Sequence, residues 1–312
     1  MNKRLTFLFI VLTTSVMTWA AQWSAKWIQA ADNKDSINTW QIFKKNVHLN
    51  DIPENITAKI AVDSKYWLWI NGKQVVFEGG LKRGPSPKGT YYDEVDIAPY
   101  LKKGSNTIAL LTVFFGKEGF SHKNSGHGAL LFEAQAGKVK IISDDTWEAA
   151  VYKAYGRDDN PKPNWRLPES NICFDGRKSL GNWQKPGYSR KFPKAKIFNA
   201  DAINETYGQL VLRPIPLFKE FGLKDYVSCT FDERTRILTC RLPYDAQITP
   251  YLKVQAKAGD TIVIRTDHDV VGGESCIRAA YITRNGIQEY ESLGWINGDL
   301  VYYKIPKGTK VI

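Results

Sequence analysis

The chain has 312 residues, 43% of them hydrophobic and 12% aromatic, with a formal charge of +11. That is long enough for two domains and apolar enough for packed cores, and the aromatic share suits half-buried pleated surfaces. Four scattered His and four Cys without a CxxC offer zinc no ligand set, and no segment after the first 21 residues is apolar and long enough to cross a membrane.

At the N-terminus, Lys3 and Arg4 precede the apolar stretch Leu5 to Val16, and the small residues Thr18, Ala20 and Ala21 follow. This reads as a secretory signal over 1–21, with no Cys behind it for a lipid anchor. The expected location is secreted or periplasmic, which argues against a nucleic-acid partner. Loss of Lys3 and Arg4 lowers the charge by 2 to +9. That charge suits acidic glycans or anionic surfaces, set against the plainer reading of a solvated surface.

Trp40 to Leu49 reads as an extended run. Ile56 to Ile70 alternates, with Ile60, Val62, Tyr66, Leu68 and Ile70 on one face and Ala61, Asp63, Lys65, Trp67 and Trp69 on the other. Period two is the strand signature. Asn71-Gly72 suits the two positive-φ positions of a type I′ hairpin turn. The same pair recurs at Asn285-Gly286 and Asn297-Gly298, and each is expected to join two antiparallel strands.

Further strands are expected at Tyr91 to Tyr100, Thr107 to Phe115, Ala129 to Ala134, Val139 to Ile142 and Trp147 to Tyr152. The loop Gly116 to Gly128 between them is polar. Short strands at this spacing point to a β-sandwich or barrel over 22–155. Residues 156–204 differ. They hold five prolines, and between Asp175 and Asp201 there is no acid but seven Lys or Arg. This segment is expected to wrap the first sandwich and bridge to a second β unit over 205–312. There Thr249 to Lys257 alternates, and Thr261 to Thr266, Tyr281 to Arg284, Ile287 to Glu291 and Leu300 to Ile305 supply strands.

Cys229 and Cys240 flank an apparent hairpin turning near Arg234-Thr235, which sets them opposite each other. A bridge there and free buried thiols are both open, and Cys173 and Cys276 complete the set. No GxSxG elbow, P-loop, HExxH or Rossmann fingerprint occurs. The adjacent acids Asp144-Asp145 and Asp158-Asp159 point to opposite strand faces and rarely converge. Asp158-Asp159 or Asp267/Asp269 offer calcium loop carboxylates without any calcium-loop spacing, so no cofactor is assigned.

The aromatic pair Trp67 and Trp69 is the strongest binding signal. Sugar rings stack their C–H faces on indole, and nearby polar groups bind hydroxyls. The plainer reading makes both Trp core between two layers, because Tyr66, Leu68 and Ile70 make the opposite face apolar as well. Arg83, His122, Asn124 and His127 are candidate rim residues by their loop setting alone.

In order, these pieces resemble a known family. Trp27-Ile28, Phe43-Lys44-Lys45, the run Ala61 to Lys73 and the run Asp93 to Asn106 look like the N-terminal β-sandwich of bacterial α-L-rhamnosidases, glycoside hydrolase family 78. Leu212-Arg213-Pro214-Ile215-Pro216, Gly259-Asp260, Tyr281 to Glu291 and Gly294 to Tyr303 resemble the family's next module. The resemblance implies an all-β chain of two tandem sandwiches, galactose-binding-like or jelly-roll and then concanavalin-like. It implies hydrolysis of terminal α-L-rhamnosides by an inverting mechanism. The family's acid and base carboxylates lie in an (α/α)6 barrel that follows this region, so no catalytic residue carries over. The expectation is a truncated accessory region, inactive alone, that contacts rhamnose-containing glycans or acidic pectin-type polymers. The alternative is a free-standing lectin-like module.

Overall fold

The computed structural model describes residues 23–80, 89–118, 122–157, 171–198, 206–268, 270–271, 274–275 and 278–312. Residues 1–21, expected from the sequence to be a secretory signal, lie outside them. Two all-β sandwiches make up the molecule, and helical structure among the described residues amounts to short turns such as Ala98–Tyr100 and Gly176–Lys178. No helix among these residues is long and apolar enough to cross a membrane.

The first sandwich packs a seven-stranded sheet on a five-stranded one. The larger sheet runs in the order Lys196–Ile197, Ile28–Gln29, Leu130–Ala136, Thr57–Val62, Thr90–Asp96, Leu210–Leu212, with Val139–Ile142 added to Leu130–Ala136. The smaller runs Glu148–Val151, Thr39–Leu49, Gly104–Phe114, Lys65–Ile70, Lys73–Gly79. Phe43, Tyr66, Leu68, Leu110, Phe132 and Trp147 fill the space between. Removing such side chains from water is what holds two pleated layers face to face.

The alternating run 56–70 is two strands rather than one. Thr57–Val62 lies in the larger sheet and Lys65–Ile70 in the smaller, with Asp63 and Ser64 carrying the chain across. The parity survives the crossing. Ile60, Val62, Tyr66, Leu68 and Ile70 all face the shared core, while Trp67 faces a separate cluster on the outer side of the smaller sheet. Trp183 and Phe192 of the basic, proline-rich segment cover that outer side.

The second sandwich packs unequal layers. A seven-stranded sheet runs Tyr155–Arg157, Ile172–Asp175, Arg278–Ile282, Thr261–Thr266, Ile296–Lys304, Ile237–Ile248, Ser228–Asp232. Only three strands face it: Gly286–Glu291, Tyr251–Ala256 and Lys310–Val311. Val254, Ile262, Ile264, Tyr281, Val301 and Tyr303 form its core.

Two expectations change here. The boundaries 155/156 and 204/205 are crossed by strand pairing. Tyr155–Arg157 and Ile172–Asp175 belong to the second sandwich, whereas Lys196–Ile197 and Leu210–Leu212 return to the first. Of the three Asn-Gly pairs, only Asn71-Gly72 makes the expected hairpin turn, with φ of 53° and 81°. Asn285-Gly286 leads from Arg278–Ile282 to Gly286–Glu291, which lie in different sheets. Asn297 and Gly298 sit inside a strand, paired with Gln247 and Ala246. Gly298 is there because a Cβ would stand 2.3 Å from an Asp267 carboxylate oxygen.

Candidate functional site

The inequality of the second sandwich's layers opens an apolar groove of about 770 Å³ on the side of the seven-stranded sheet that the three strands leave bare. One wall is the strand Ile237–Ile248. The other is residues 213–226, which form no strand yet carry Phe218, Phe221 and Leu223 into the groove. Phe221 is 71% exposed and Tyr244 is 70% exposed. Large apolar side chains clustered at the surface mark an interaction site. Phe77 of the first sandwich meets Phe218 edge-on at 6.0 Å, and the Trp295 indole N–H donates to Glu78 at 3.4 Å. The groove therefore abuts the seam between the sandwiches.

Its floor is held by tyrosines. The Tyr303 hydroxyl donates to the Tyr251 carbonyl at 2.9 Å, which commits its one proton. The Tyr226 hydroxyl, 2.6 Å away, is then the donor to Tyr303. Burial pushes Tyr226 up to about 12, and burial also raises Tyr303. Both stay protonated as donors at neutral pH.

The approach to the groove is fixed by a buried ion pair. Arg213 Nε lies 2.8 Å from Asp93, with the two side chains 5% and 3% exposed. The other Asp93 oxygen accepts from the Tyr66 hydroxyl at 2.9 Å and the Gly80 N–H at 2.8 Å. Burial, then the Asp93 charge, raises Tyr66 well above the usual phenol range. This pair explains the sequence Leu212-Arg213-Pro214. Arg213 pins the end of the first sandwich's last strand, and the chain then leaves for the groove wall.

Of the six residues read from sequence as binding candidates, five are described, and each of these makes contacts within the protein. Trp67 is 1% exposed, stacked on Trp40 at 5.4 Å and met edge-on by Phe77, so it is core. Trp69 is half-buried, edge-on to Trp183 at 6.0 Å. Arg83 lies outside the described residues. His122 is buried against Phe115, and its Nε2 donates to the Lys117 carbonyl at 2.7 Å. The Asn124 side chain accepts from the Gly126 N–H at 3.0 Å. His127 Nδ1 donates to Asp35 at 2.8 Å, and the Tyr207 hydroxyl donates to the His127 carbonyl at 3.0 Å.

Much of this loop's hydrogen bonding goes to two carboxylates outside it. Asp63 accepts from the Ser125 N–H at 2.9 Å and from the Ser125 and Ser64 hydroxyls. Asp35 accepts from the Gly128 N–H and the Asn33 amide. The carboxylates are inward anchors for loop backbone.

Of the calcium candidates, Asp267 is described, and it lies with His268 and Asp299 so that one ligand atom from each falls within 4.8 Å of the others. One Asp267 oxygen already accepts from the Asp299 and Leu300 N–H groups, both at 3.0 Å. The groove was the feature sequence reasoning missed by position. Its signal was present, in the apolar residues of the strandless stretch 213–226.

Comparison with known proteins gives one family repeatedly. No protein-family model matches the chain. An α-L-rhamnosidase of Streptomyces avermitilis is 23% identical over 213 residues, 58% of this chain and 18% of that protein. The solved α-L-rhamnosidase of Dictyoglumus thermophilum superposes over 93% of this chain and 35% of its own, with a TM-score of 0.65 and 18% identity. A family-78 rhamnosidase of Bacillus sp. GL1 covers 93% of this chain and 34% of its own, with a TM-score of 0.56 and 19% identity. The chain thus has the fold of about a third of those structures.

Proposed function

We propose that this chain is the accessory β region of an α-L-rhamnosidase-like glycoside hydrolase of family 78, galactose-binding-like and then concanavalin-like in its two sandwiches. Its work is to seat a catalytic module, with the apolar groove as part of the seat, and to make a weak carbohydrate contact. The observation that carries this reading is the superposition of both sandwiches, in order, on a third of a rhamnosidase. Hydrolysis of terminal α-L-rhamnosides is the activity we propose for the larger protein, and no residue of this chain is given a catalytic role. Incubation of the purified chain with an aryl α-L-rhamnoside is the test. No release of sugar is expected, and release at an enzymatic rate overturns the reading.

The carbohydrate contact is proposed at Trp69, which keeps part of its ring at the surface where Trp67 does not. Rhamnose-containing glycans, and acidic pectin-type polymers through the +9 charge, are the proposed ligands. Saturable binding lost in Trp69→Ala supports a contact there; binding unchanged in that variant moves it elsewhere. Loss of polymer binding at high salt is expected, since screening reaches exposed charges first. Secretion directed by residues 1–21 is part of the same proposal, and N-terminal sequencing of the exported protein tests it.

A further inference from the structure

Ser228–Asp232 is the outermost strand of the second sandwich's larger sheet, and each of its five residues is exposed. No residue in it is buried; it is held by backbone pairing to Ile237–Ile248 and, at its far end, by the Arg236 guanidinium over the Phe231 ring and the Arg234 and Thr235 N–H groups donating to Asp232. An edge strand of this kind frays, and it also forms the margin of the groove proposed above to be a seat. Across that pairing Cys229 stands opposite Cys240. Cys229 is exposed and Cys240 is buried, and their sulfurs are 3.1 Å apart. A disulfide needs about 2.05 Å, so the sulfurs close the remaining ångström by side-chain rotation, with the backbone already in register.

We propose that Cys229 and Cys240 are an oxidation site, closing to a cross-strand disulfide that staples the edge strand at the margin of the groove. The oxidant is a disulfide, either oxidised glutathione or the disulfide of a thiol oxidoreductase. The Cys229 thiolate, the accessible one, attacks an oxidant sulfur. A mixed disulfide forms and one oxidant thiolate leaves. The Cys240 thiolate then attacks the Cys229 sulfur, the protein disulfide forms, and the second oxidant thiolate leaves. Two protons are released to solvent and taken up by the departing thiolates. Two electrons pass from the cysteine pair to the oxidant, which ends as two thiols. Burial, with Cys229 beside it, pushes the Cys240 thiol up, so the second step quickens as pH rises.

The sequence makes the test direct. Lys224, Arg234, Arg236 and Arg241 place Cys229 on the tryptic peptide 225–234 and Cys240 on 237–241. The full chain is reduced, exposed to oxidised glutathione, alkylated without reduction and digested. The expected product is one cross-linked peptide, about 2 Da lighter than the two free peptides together. It disappears on reduction and in Cys229→Ser. Recovery of both peptides alkylated, or of Cys229 bridged to Cys173 or Cys276, overturns the proposal. In Cys240→Ser the expected product is a stable glutathione adduct on Cys229; alkylated Cys229 without the adduct overturns the order of attack. Amide exchange over Ser228–Asp232 is expected to slow several-fold on oxidation, and unchanged exchange overturns the stapling role.

Discussion

Asp93 and Arg213 join the two halves of the chain through one buried contact. A buried charge left without its partner costs about 3–5 kcal/mol. Asp93→Ala is therefore expected to lower the unfolding free energy by that much, and Arg213→Ala comparably, in denaturant titrations. The double variant Asp93→Leu with Arg213→Met should recover part of the loss, because it leaves no lone charge, although the Tyr66 hydroxyl and Gly80 N–H lose their acceptor. If the double variant is as unstable as the sum of the single ones, the pair is not the cause.

Asp175 gives a pH signature. Its carboxylate accepts from Arg177 Nε and Nη2, both at 2.9 Å, and from the Arg177 N–H at 3.1 Å. The Arg177 hydrogen bonds hold it at about 2, below the usual carboxylate range. A depressed folded-state pKa contributes stability that is fully present above the unfolded value near 3.8 and is lost as pH falls through about 2. Asp175→Asn is expected to flatten the stability profile between those two values and to lower stability at neutral pH. An unaltered acid limb in the variant contradicts this assignment.

The loop residues show why site prediction from single residues falls short. His122, Asn124 and His127 have the chemistry of sugar-binding side chains and sit in a polar loop. Whether such a group faces a ligand or its own backbone depends on Asp35 and Asp63, which are tens of residues away in sequence.

Among the elements, strand existence was legible and strand partnership was not. Alternation over Ile60 to Ile70 placed each side chain on its correct face, even though the run is split between two sheets. Parity depends only on neighbours, so it passed through the break at Asp63 and Ser64. Partnership depends on distant chain, and there Asn-Gly misled. Asn71 has both the positive φ and a network: its amide donates to the Tyr100 carbonyl at 3.0 Å and to Asn106 Oδ1 at 2.8 Å, and its oxygen accepts from the Thr107 N–H at 3.0 Å. The Asn285 side chain accepts one exposed bond, from the Ala258 N–H.

Asn71→Ala is thus expected to cost about 2–3 kcal/mol and Asn285→Ala under ~1 kcal/mol, by chemical denaturation. Equal costs would mean that turn chemistry alone matters. Gly298→Ala, inside its strand, should cost about 1–3 kcal/mol by overpacking. It is expected to displace the Asp267 carboxylate from the Asp299 and Leu300 N–H groups, read as faster exchange at those two amides; unchanged exchange there contradicts it.

For the molecule as a whole, the groove makes a prediction about behaviour in solution. Phe221 and Tyr244 hold large, mostly exposed apolar side chains at the groove, a surface cluster of the kind that promotes association. The purified chain is expected to bind an apolar dye and to self-associate with rising concentration. Phe221→Asp with Tyr244→Asp should restore a monomer in sedimentation without loss of thermal stability. A wild-type chain that is monodisperse and dye-silent would remove the groove as a docking surface. Two β-rich units were readable from strand spacing, and their being sandwiches followed from the family resemblance. The groove was not, because it arises from the difference between a seven-stranded and a three-stranded layer, and layer widths are set by pairings that no local pattern encodes.

The exchange of strands between the sandwiches bears on how the chain is made. A ribosome delivers residues in order, and the first sandwich's larger sheet ends on Leu210–Leu212, laid parallel to Thr90–Asp96. The outer cover of its smaller sheet, Trp183 and Phe192, also arrives late. Until about residue 213 has emerged, the early strands have their core partners but neither their last edge nor their lid. From Val151, where its last core strand ends, to residue 213, roughly a fifth of the 312 residues, the nascent first sandwich is expected to stay open, with the Arg213–Asp93 contact closing it.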